Sequence, residues 1–215
     1  MSNLKFNIPK TIYCDFDGTV TKKDAVNTFF ELYADPKWTE YEKLWVEGKI
    51  SSKENAIRQV ALLPEMTEDV LNEYINSIEI DDYFVEFVDF IRSKGIKPVI
   101  ISDGFDLFIE KTLKKHKLNG IDFYANHLIY ENNKFKIEFP YHNLKCDIGA
   151  GMCKCARIKE NEFCYIGDGT SDLCVAKKAT MLFASKVLQT YCKENNVKYI
   201  PFKDFSNIIE VLKEI

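Results

Sequence analysis

The chain has 215 residues, of which 46% are hydrophobic and 29% are charged, so it is long enough to bury a core and to carry one inserted segment. No stretch approaches the roughly 18 consecutive apolar residues of a membrane span, which argues against an integral membrane protein. The net charge of −4 argues against a general nucleic-acid binder, because such proteins usually carry an excess of basic residues. We therefore expect a small-molecule ligand.

The N-terminal residues, Met1 to Lys10, lack the apolar run of an export signal, so we expect a cytoplasmic protein. The seven cysteines are an odd number and are spread among apparent strands and helices. In a reducing compartment we expect them to remain thiols, with no structural disulfide. No membrane or nucleic-acid partner is indicated, and a homodimer is compatible with the sequence.

The first predicted element is a short buried strand, Thr11 to Cys14, which stops abruptly at the sequence D-F-D-G-T. Asp15 and Asp17 stand two residues apart in this motif. In an extended chain both carboxylates therefore point the same way. Acidic pairs at loops also occur as solvated charges or helix caps, and this pair alone does not distinguish the two roles.

Apolar residues recur at helical spacing from Asp24 to about Ile78. Aromatic members of this pattern include Phe29, Phe30, Tyr41 and Trp45. We expect them to form a helix-packing core, with a pocket lining as the alternative. We predict that residues 23–78, here called the cap segment, form a small all-helical domain inserted into a core of residues 1–22 and 79–215.

Strand-like segments resume after the cap segment, each close to a helical pattern. They are Lys97 to Ile101, about Phe163 to Ile166, and Met181 to Ala184. This alternation predicts an α/β core, a Rossmann-like parallel sheet covered by helices. Between them, Ile121 to Phe139 contains two β-prone runs around Glu131-Asn132-Asn133, which predicts a hairpin.

Polar residues follow two further strands of the predicted sheet, where ligands of open α/β sheets bind. Ser102, Asp103 and Gly104 offer a hydroxyl and backbone N–H groups at the start of a helix, which suits an anion, although a serine there is also a common helix cap. Asp168 and Asp172 follow the next strand. An acidic cluster that also approaches phosphate indicates Mg²⁺, which prefers oxygen ligands.

The motifs D-F-D-G-T, I-S-D-G, C-K-C and G-D-G-T-S-D, in this order, resemble those of the haloacid dehalogenase superfamily. Phosphatases of that superfamily carry D-x-D-G-T, then a Ser or Thr after a strand, then a Lys, then G-D-x-x-x-D. The resemblance covers nearly the whole chain. It implies a Mg²⁺-dependent phosphoric monoester hydrolase with the superfamily's α/β fold and a small phosphate ester as substrate.

The resemblance also implies a role for each motif residue. Asp15 would be the nucleophile that takes the phosphoryl group, and Asp17 the acid/base for the leaving oxygen. Asp15, Asp168 and the backbone carbonyl of Asp17 would hold Mg²⁺, with Asp172 as a further ligand or as the residue that orients the lysine. The phosphate-binding residues would be Thr19, Ser102, Asp103, Gly104 and Lys154. Lys154 is preferred to Lys145 because a helix-like run follows it.

A helical insertion after the first motif resembles the members with a cap in that position, which include phosphoserine phosphatases and methionine-salvage phosphatases. Gln59 and Asp24 stand where phosphoserine phosphatases usually have an arginine and a glutamate, so phosphoserine is the second candidate. The methionine-salvage family shares D-F-D-G-T-x-T-x-x-D, L-L-P and a cysteine-rich stretch before the lysine, found here at residues 15–24, 62–64 and 146–155. Its substrate, 2-hydroxy-3-keto-5-methylthiopentenyl-1-phosphate, is the first candidate. Asp103 departs from the glycine that is more common in that family.

Other interpretations use the same residues differently. A phosphoamine or nucleotide phosphatase would share the core. A non-enzymatic phosphate-binding protein would be expected to have lost the nucleophile or a metal-binding acid, but Asp15, Asp17 and Asp168 are intact. Cys146, Cys153 and Cys155 could ligate zinc, but they lack the paired C-x-x-C spacing. The three histidines lie outside every motif, and we assign them no role.

Overall fold

The computed structural model describes residues 8–146 and 149–215, so most of the N-terminal stretch considered for an export signal lies outside the described residues. The strands are β1 (Thr11–Cys14), β2 (Lys97–Phe105), β3 (Asp122–Glu131), β4 (Lys134–Glu138), β5 (Cys164–Gly167), β6 (Met181–Ala184) and β7 (Ile200–Pro201). The helices are α1 (Ala25–Tyr33), α2 (Trp38–Val46), α3 (Ser52–Val60), α4 (Glu68–Ser77), α5 (Phe84–Ser93), α6 (Asp106–Lys115), α7 (Lys154–Arg157), α8 (Leu173–Ala176), α9 (Lys186–Glu194) and α10 (Phe205–Glu214). A turn, Phe16–Val20, follows β1, and a 3₁₀ turn, Thr170–Asp172, precedes α8.

The strands form a seven-stranded sheet in the order β4-β3-β2-β1-β5-β6-β7. All neighbouring strands are parallel except β3 and β4. The predicted α/β sheet is therefore confirmed. β1 lies between β2 and β5, so the strands that follow it in the chain are added to the sheet on both of its sides. At such a point in an α/β sheet a crevice opens beyond the carboxyl end of the central strand.

The predicted hairpin is also confirmed. β3 and β4 pair antiparallel, and Glu131 faces Lys134 across a two-residue turn. Asn132 and Asn133 in that turn have φ angles of 50° and 64°. This left-handed conformation matches the right-handed twist of a hairpin, and asparagine tolerates it better than most residues.

β2 is longer than the sequence predicts. The expected strand ends at Ile101, but β2 continues to Phe105, and α6 begins only at Asp106. The pairing with β3 is irregular between Ile101 and Phe105 and resumes where Phe105 faces Asn126. Residues 102–104 therefore lie in an irregular strand end, and the expectation that they start a helix is wrong.

Hydrophobic cores flank both faces of the sheet, as a parallel sheet requires. The side chains of β1 alternate between these cores, with Ile12 on one face and Tyr13 on the other. On the first face α5 and α10 pack through Phe84 and Phe205, whose ring centroids are 4.9 Å apart. Both faces of β1 are therefore packed, and the backbone of Asp15, the residue that follows β1, is held in a fixed position.

The helical pattern from 24 to 78 is confirmed by α1 to α4, although the domain boundaries themselves remain a prediction. Phe29 and Phe30 are buried as expected, and Phe29 packs edge-on against Phe108 of α6 at 5.2 Å. Tyr41 and Trp45 lie outside the core, because α2 runs over the surface and buries none of its residues. Of the helices in the described parts of the chain, none has the length and apolar character needed to cross a membrane.

Candidate active site

A cavity of about 320 Å³ lies at the carboxyl ends of β1, β2 and β5. Residues that follow these strands, among them Asp15, Ser102 and Asp168, form one side, here called the floor. Residues of α1, α2 and α3 and the Asp24 cap of α1 form the opposite side, here called the roof. The structure therefore brings motifs that are far apart in the sequence to one cavity.

Asp15 follows β1 and is fixed by the sheet, since its backbone N–H donates to the Ile166 carbonyl of β5 at 2.9 Å. Its Oδ1 accepts a hydrogen bond from the Phe16 N–H at 2.7 Å and lies 3.0 Å from Lys154 Nζ. No donor from the described residues reaches Oδ2. Asp15 therefore has one anchored carboxylate oxygen and one that is available for chemistry.

Lys154 is a buried cation beneath the floor, with a side chain that is 1% exposed. Its Nζ lies 3.0 Å from Asp15 Oδ1, 2.6 Å from Asp172 Oδ1 and 3.0 Å from the Ser171 hydroxyl. Burial by itself lowers the pKa of Lys154, but the two carboxylates outweigh it and hold the pKa above its ordinary value. The structure brings Lys154 to the site, whereas Lys145 is exposed.

Asp172 is fully buried, and protein donors occupy both of its carboxylate oxygens. Oδ1 accepts from Lys154 Nζ at 2.6 Å and from the Tyr165 hydroxyl at 2.5 Å. Oδ2 accepts from the backbone N–H groups of Asp168 at 3.0 Å and Gly169 at 2.9 Å. Because each oxygen already has two donors, this geometry favours a role in orienting the lysine over direct coordination of a metal ion.

Asp17 lies in the turn Phe16–Val20 and is held by donors at both oxygens. Oδ1 accepts from the Ala25 N–H at 3.0 Å, and Oδ2 from the Ser102 hydroxyl at 3.2 Å. Burial and the nearby charge of Asp24 raise the pKa of Asp17 to about 7. A carboxyl group with this pKa can both donate and accept a proton near neutral pH.

Two glycines leave room for the carboxylates. A Cβ atom on Gly104 would collide with the Asp17 carboxylate. Gly18 has a φ of +73°, and a Cβ atom there would lie 2.7 Å from Asp168 Oδ2. The motifs therefore require glycine at these positions, one for a close approach and the other also for a left-handed backbone.

Asp103 lines the cavity and joins the floor to the cap segment. Its carboxylate accepts hydrogen bonds from the Met152 N–H at 2.7 Å, from Asn126 Nδ2 at 3.1 Å, and from the Ser52 hydroxyl at the start of α3. Burial raises the pKa of Asp103. These contacts reveal a structural link that the motif did not indicate, and the phosphate-binding role of Asp103 stays a prediction.

Asp168 is flanked by a hydroxyl and an ammonium group. Oδ1 accepts from the Thr19 hydroxyl at 2.8 Å, and Oδ2 lies 2.9 Å from Lys186 Nζ, which also donates to the Gly18 carbonyl at 2.6 Å. Thr19 is only 5% exposed, so its visible contact is with Asp168. The phosphate-binding role predicted for Thr19 remains untested.

The carboxylates of the floor suit a divalent cation. One oxygen each of Asp15, Asp168 and Asp172 lies within 4.8 Å of the others, and all three residues are buried. Burial and the charge of Asp172 raise the pKa of Asp15 well above its ordinary value, even though Lys154 opposes the shift. The three carboxylates thus carry more negative charge than the ammonium groups of Lys154 and Lys186 together balance, and their hard oxygen donors are those that Mg²⁺ prefers.

The roof is built from polar side chains of the cap segment. Glu42 Oε2 accepts from Asn55 Nδ2 at 2.9 Å and from Gln59 Nε2 at 3.0 Å. Asp24 caps α1 by accepting from the Asn27 N–H at 2.8 Å. Burial and, to a lesser extent, the charge of Glu42 raise the pKa of Asp24 to about 6. The roof therefore places two carboxylates opposite the floor.

Sequence reasoning missed five contributors to this site: Tyr165, Ser52, Glu42, Asn55 and Lys186. Tyr165 is part of an apolar strand, and the three cap residues belong to no motif, so no local signal identified them. Lys186 follows β6, and inspection of that strand end in the same way as the others would have found it. The cysteines considered for zinc form no cluster of metal-ligating groups among residues 8–146 and 149–215.

The chain matches known proteins over most of its length. A family model described as haloacid dehalogenase-like hydrolase matches residues 12–177. A 2-hydroxy-3-keto-5-methylthiopentenyl-1-phosphate phosphatase of Bacillus velezensis is 32% identical over 208 residues, which cover 92% of this chain and 87% of that protein. A protein of the same name from Bacillus thuringiensis subsp. konkukian is 29% identical, with coverage of 95% and 96%.

Among solved structures, the phosphoserine phosphatase from T. onnurineus in complex with NDSB-201 matches with a TM-score of 0.72. The match covers 97% of this chain and 96% of that one, at 20% sequence identity. At this identity the likeness establishes the fold and carries no information about the substrate.

Proposed function

Since this chain belongs to the haloacid dehalogenase-like hydrolase family and is a phosphoric monoester hydrolase, we propose that it cleaves a small phosphate ester through a covalent phosphoryl group on Asp15. The observation that carries this proposal is the meeting of Asp15, Asp17 and Ser102 in one cavity above Lys154. A nucleophile, an acid/base, a hydroxyl donor and a cation are the groups that phosphoryl transfer through an aspartate needs.

In the first step, Oδ2 of Asp15 attacks the phosphorus atom, and the bond between phosphorus and the leaving oxygen breaks. The contacts of Oδ1 with the Phe16 N–H and Lys154 hold the carboxylate for this attack. Asp17, whose pKa is about 7, donates its proton to the leaving oxygen. The dephosphorylated product then departs as a neutral hydroxyl compound.

In the second step, a water molecule attacks the phosphorus atom, and the bond to Asp15 breaks. Asp17 is now a carboxylate and accepts a proton from the water, which returns both acids to their starting states and releases inorganic phosphate. The Lys154 cation and the Ser102 hydroxyl stabilise the negative charge that spreads over the phosphoryl oxygens in both steps.

The donor set of the floor fits Mg²⁺, because its three buried carboxylates outnumber the two ammonium groups beside them. Asp15, Asp168 and the backbone carbonyl of Asp17 would hold the ion, and Asp172 would support the site by orienting Lys154. When bound, Mg²⁺ neutralises charge on the phosphoryl oxygens. We propose this ion as the cofactor.

We propose that the cap segment, residues 23–78, is a separate domain that selects the substrate, and that the substrate is 2-hydroxy-3-keto-5-methylthiopentenyl-1-phosphate of methionine salvage. Support comes from the two Bacillus relatives of that name, which match over most of both chains. Support also comes from the roof, because Glu42, Asn55 and Gln59 of this segment line the cavity together with the residues of the floor.

The test is phosphate release with Mg²⁺ from a panel of esters that includes the enol phosphate, phosphoserine and nucleotides, with Asp15→Asn as the control. A marked preference for the enol phosphate, together with loss of activity in EDTA, supports the whole proposal. A preference for another ester would leave the Asp15 mechanism standing but would overturn the proposed methionine-salvage substrate. If no ester gives release that depends on Asp15, the phosphatase mechanism itself is overturned. Mass spectrometry of the quenched enzyme should detect one added phosphoryl group on the peptide that contains Asp15.

A further inference from the structure

The roof of the cavity carries negative charge. Asp24 and Glu42 both line the cavity, and none of its described lining residues is a lysine, an arginine or a histidine. Lys154 lies below the floor, 1% exposed, and is already paired with Asp15 and Asp172. An anionic group that entered the roof would meet like charges and find no counter-ion, which disfavours its binding.

Asn55 gives an independent indication that the roof binds a ligand. Asn55 lines the cavity but is only 6% exposed. Its Nδ2 donates to Glu42 Oε2 at 2.9 Å, which leaves the amide oxygen as the remaining polar atom. That oxygen is buried and has no donor among the described residues. Since a buried acceptor without a partner is costly, a ligand that donates a hydrogen bond there would remove the cost.

The other roof residues suit the same kind of ligand. Phe30 of α1 and Trp45 of α2 line the cavity together with Glu42 and Asn55. The faces of aromatic rings attract organic cations. Acceptor oxygens, carboxylate charge and aromatic surface are therefore combined in the part of the cavity wall that the cap segment forms, and a leaving group that extends from Asp15 into the cavity would meet them.

We infer that the roof is a subsite for a leaving group that carries a protonated amine, and that it excludes leaving groups that carry a carboxylate. The inference rests on the proposed phosphatase function and narrows its substrate class. We expect esters whose uncharged leaving group carries a hydroxyl donor to have a kcat/KM between those of the amine and carboxylate esters. The enol phosphate is of this intermediate kind and remains a permitted substrate. Phosphoserine, which carries a carboxylate beside its amine, becomes a poor one.

The first experiment measures kcat/KM of the unmodified enzyme with three two-carbon esters: phosphoethanolamine, 2-hydroxyethyl phosphate and phosphoglycolate. We expect the order amine, hydroxyl, carboxylate, with about 100-fold between the first and last. Phosphoserine and phosphoethanolamine form a matched pair that differs by one carboxylate, and phosphoethanolamine should be preferred. Equal or reversed preference in either comparison overturns the inference. Absence of Mg²⁺-dependent release from every ester would instead overturn the proposed function.

The second experiment compares Glu42→Gln with Glu40→Gln. Glu40 lies on the same helix but is exposed and contributes nothing to the cavity. The E42Q variant should lower the ratio of kcat/KM for phosphoethanolamine over phosphoglycolate by about fivefold or more, whereas E40Q should leave the ratio unchanged. A purely structural role of Glu42 would lower the rates with all esters equally, and that result, or an unchanged ratio, contradicts the inference. If E42Q does not fold, the series with the unmodified enzyme decides the question.

Discussion

The floor and the roof of this cavity face each other but are built in opposite ways. On the floor, Asp172 receives donors at both oxygens, and Lys154 contacts two carboxylates. In the roof, Glu42 shares one oxygen between two amides, and Asn55 keeps a buried oxygen that has no hydrogen-bond partner among residues 8–146 and 149–215. A satisfied network permits one arrangement, whereas an unsatisfied one can be completed by a ligand. The contrast supports the proposal that the floor performs the chemistry and the roof selects the substrate.

The largest effect should come from Asp15→Asn on the floor. An amide cannot act as the nucleophile, so we expect phosphate release to fall by at least about 10⁴-fold, as when other essential nucleophiles are removed. The control is Asp82→Asn, because the Asp82 side chain is 74% exposed and pairs with Lys22 at the surface. Substantial turnover by D15N would refute the covalent mechanism.

The next largest effect should come from Lys154→Met. This change leaves Asp15 and Asp172 buried without their shared cation, so the free energy of unfolding should fall by about 3–5 kcal/mol, and turnover should be lost. Urea denaturation measures the first effect and phosphate release the second. Lys145→Met is the matched control, since Lys145 is exposed. If both variants were equally stable, the floor would not depend on this ion pair.

An intermediate effect is expected where the floor meets the roof. Ser52→Ala removes the hydroxyl donor from the half-buried Asp103 carboxylate, and we expect a loss of about 1 kcal/mol in stability. KM should rise more than kcat falls, because α3 loses an anchor to β2. Ser77→Ala, an exposed serine on α4, serves as the control. An unchanged KM in S52A would show that this contact does not position the roof.

The smallest effect should be a shift in the pH dependence of kcat, caused by the charge of Asp24 in the roof acting on Asp17. The negative charge of Asp24 helps to raise the pKa of Asp17 to about 7, so Asp24→Asn should lower that pKa. Asp17 must be protonated to serve as the acid, so the alkaline decline of kcat should move to lower pH. Asparagine keeps the helix cap, and Asp69→Asn on α4 controls for net charge. If the alkaline decline of kcat stayed at the same pH in D24N, the charge of Asp24 would have no effect on proton transfer by Asp17.

The floor was largely predictable from the sequence, because its residues follow strands and the carboxyl ends of parallel strands meet at one edge of a sheet. Asp15, Ser102 and Asp168 were located in this way. The end of β2 was misjudged, since Ser102 and Gly104 resemble a break in the strand, while the pairing with β3 resumes at Phe105. That pairing depends on a partner strand and cannot be read from β2 alone.

Local sequence patterns were sufficient to predict the alternation of strands and helices, the helical character of residues 24–78 and the set of acids at the strand ends, because hydrophobic period and turn residues are local properties. Which groups meet in and around the cavity depends on the tertiary structure. Tyr165 and Asp172, Ser52 and Asp103, and Asn55 and Glu42 become partners through packing between separate elements. Tyr165, Ser52, Asn55 and Glu42 belong to no sequence motif, and their roles follow from burial, which turns an ordinary polar residue into one that must find a hydrogen-bond partner.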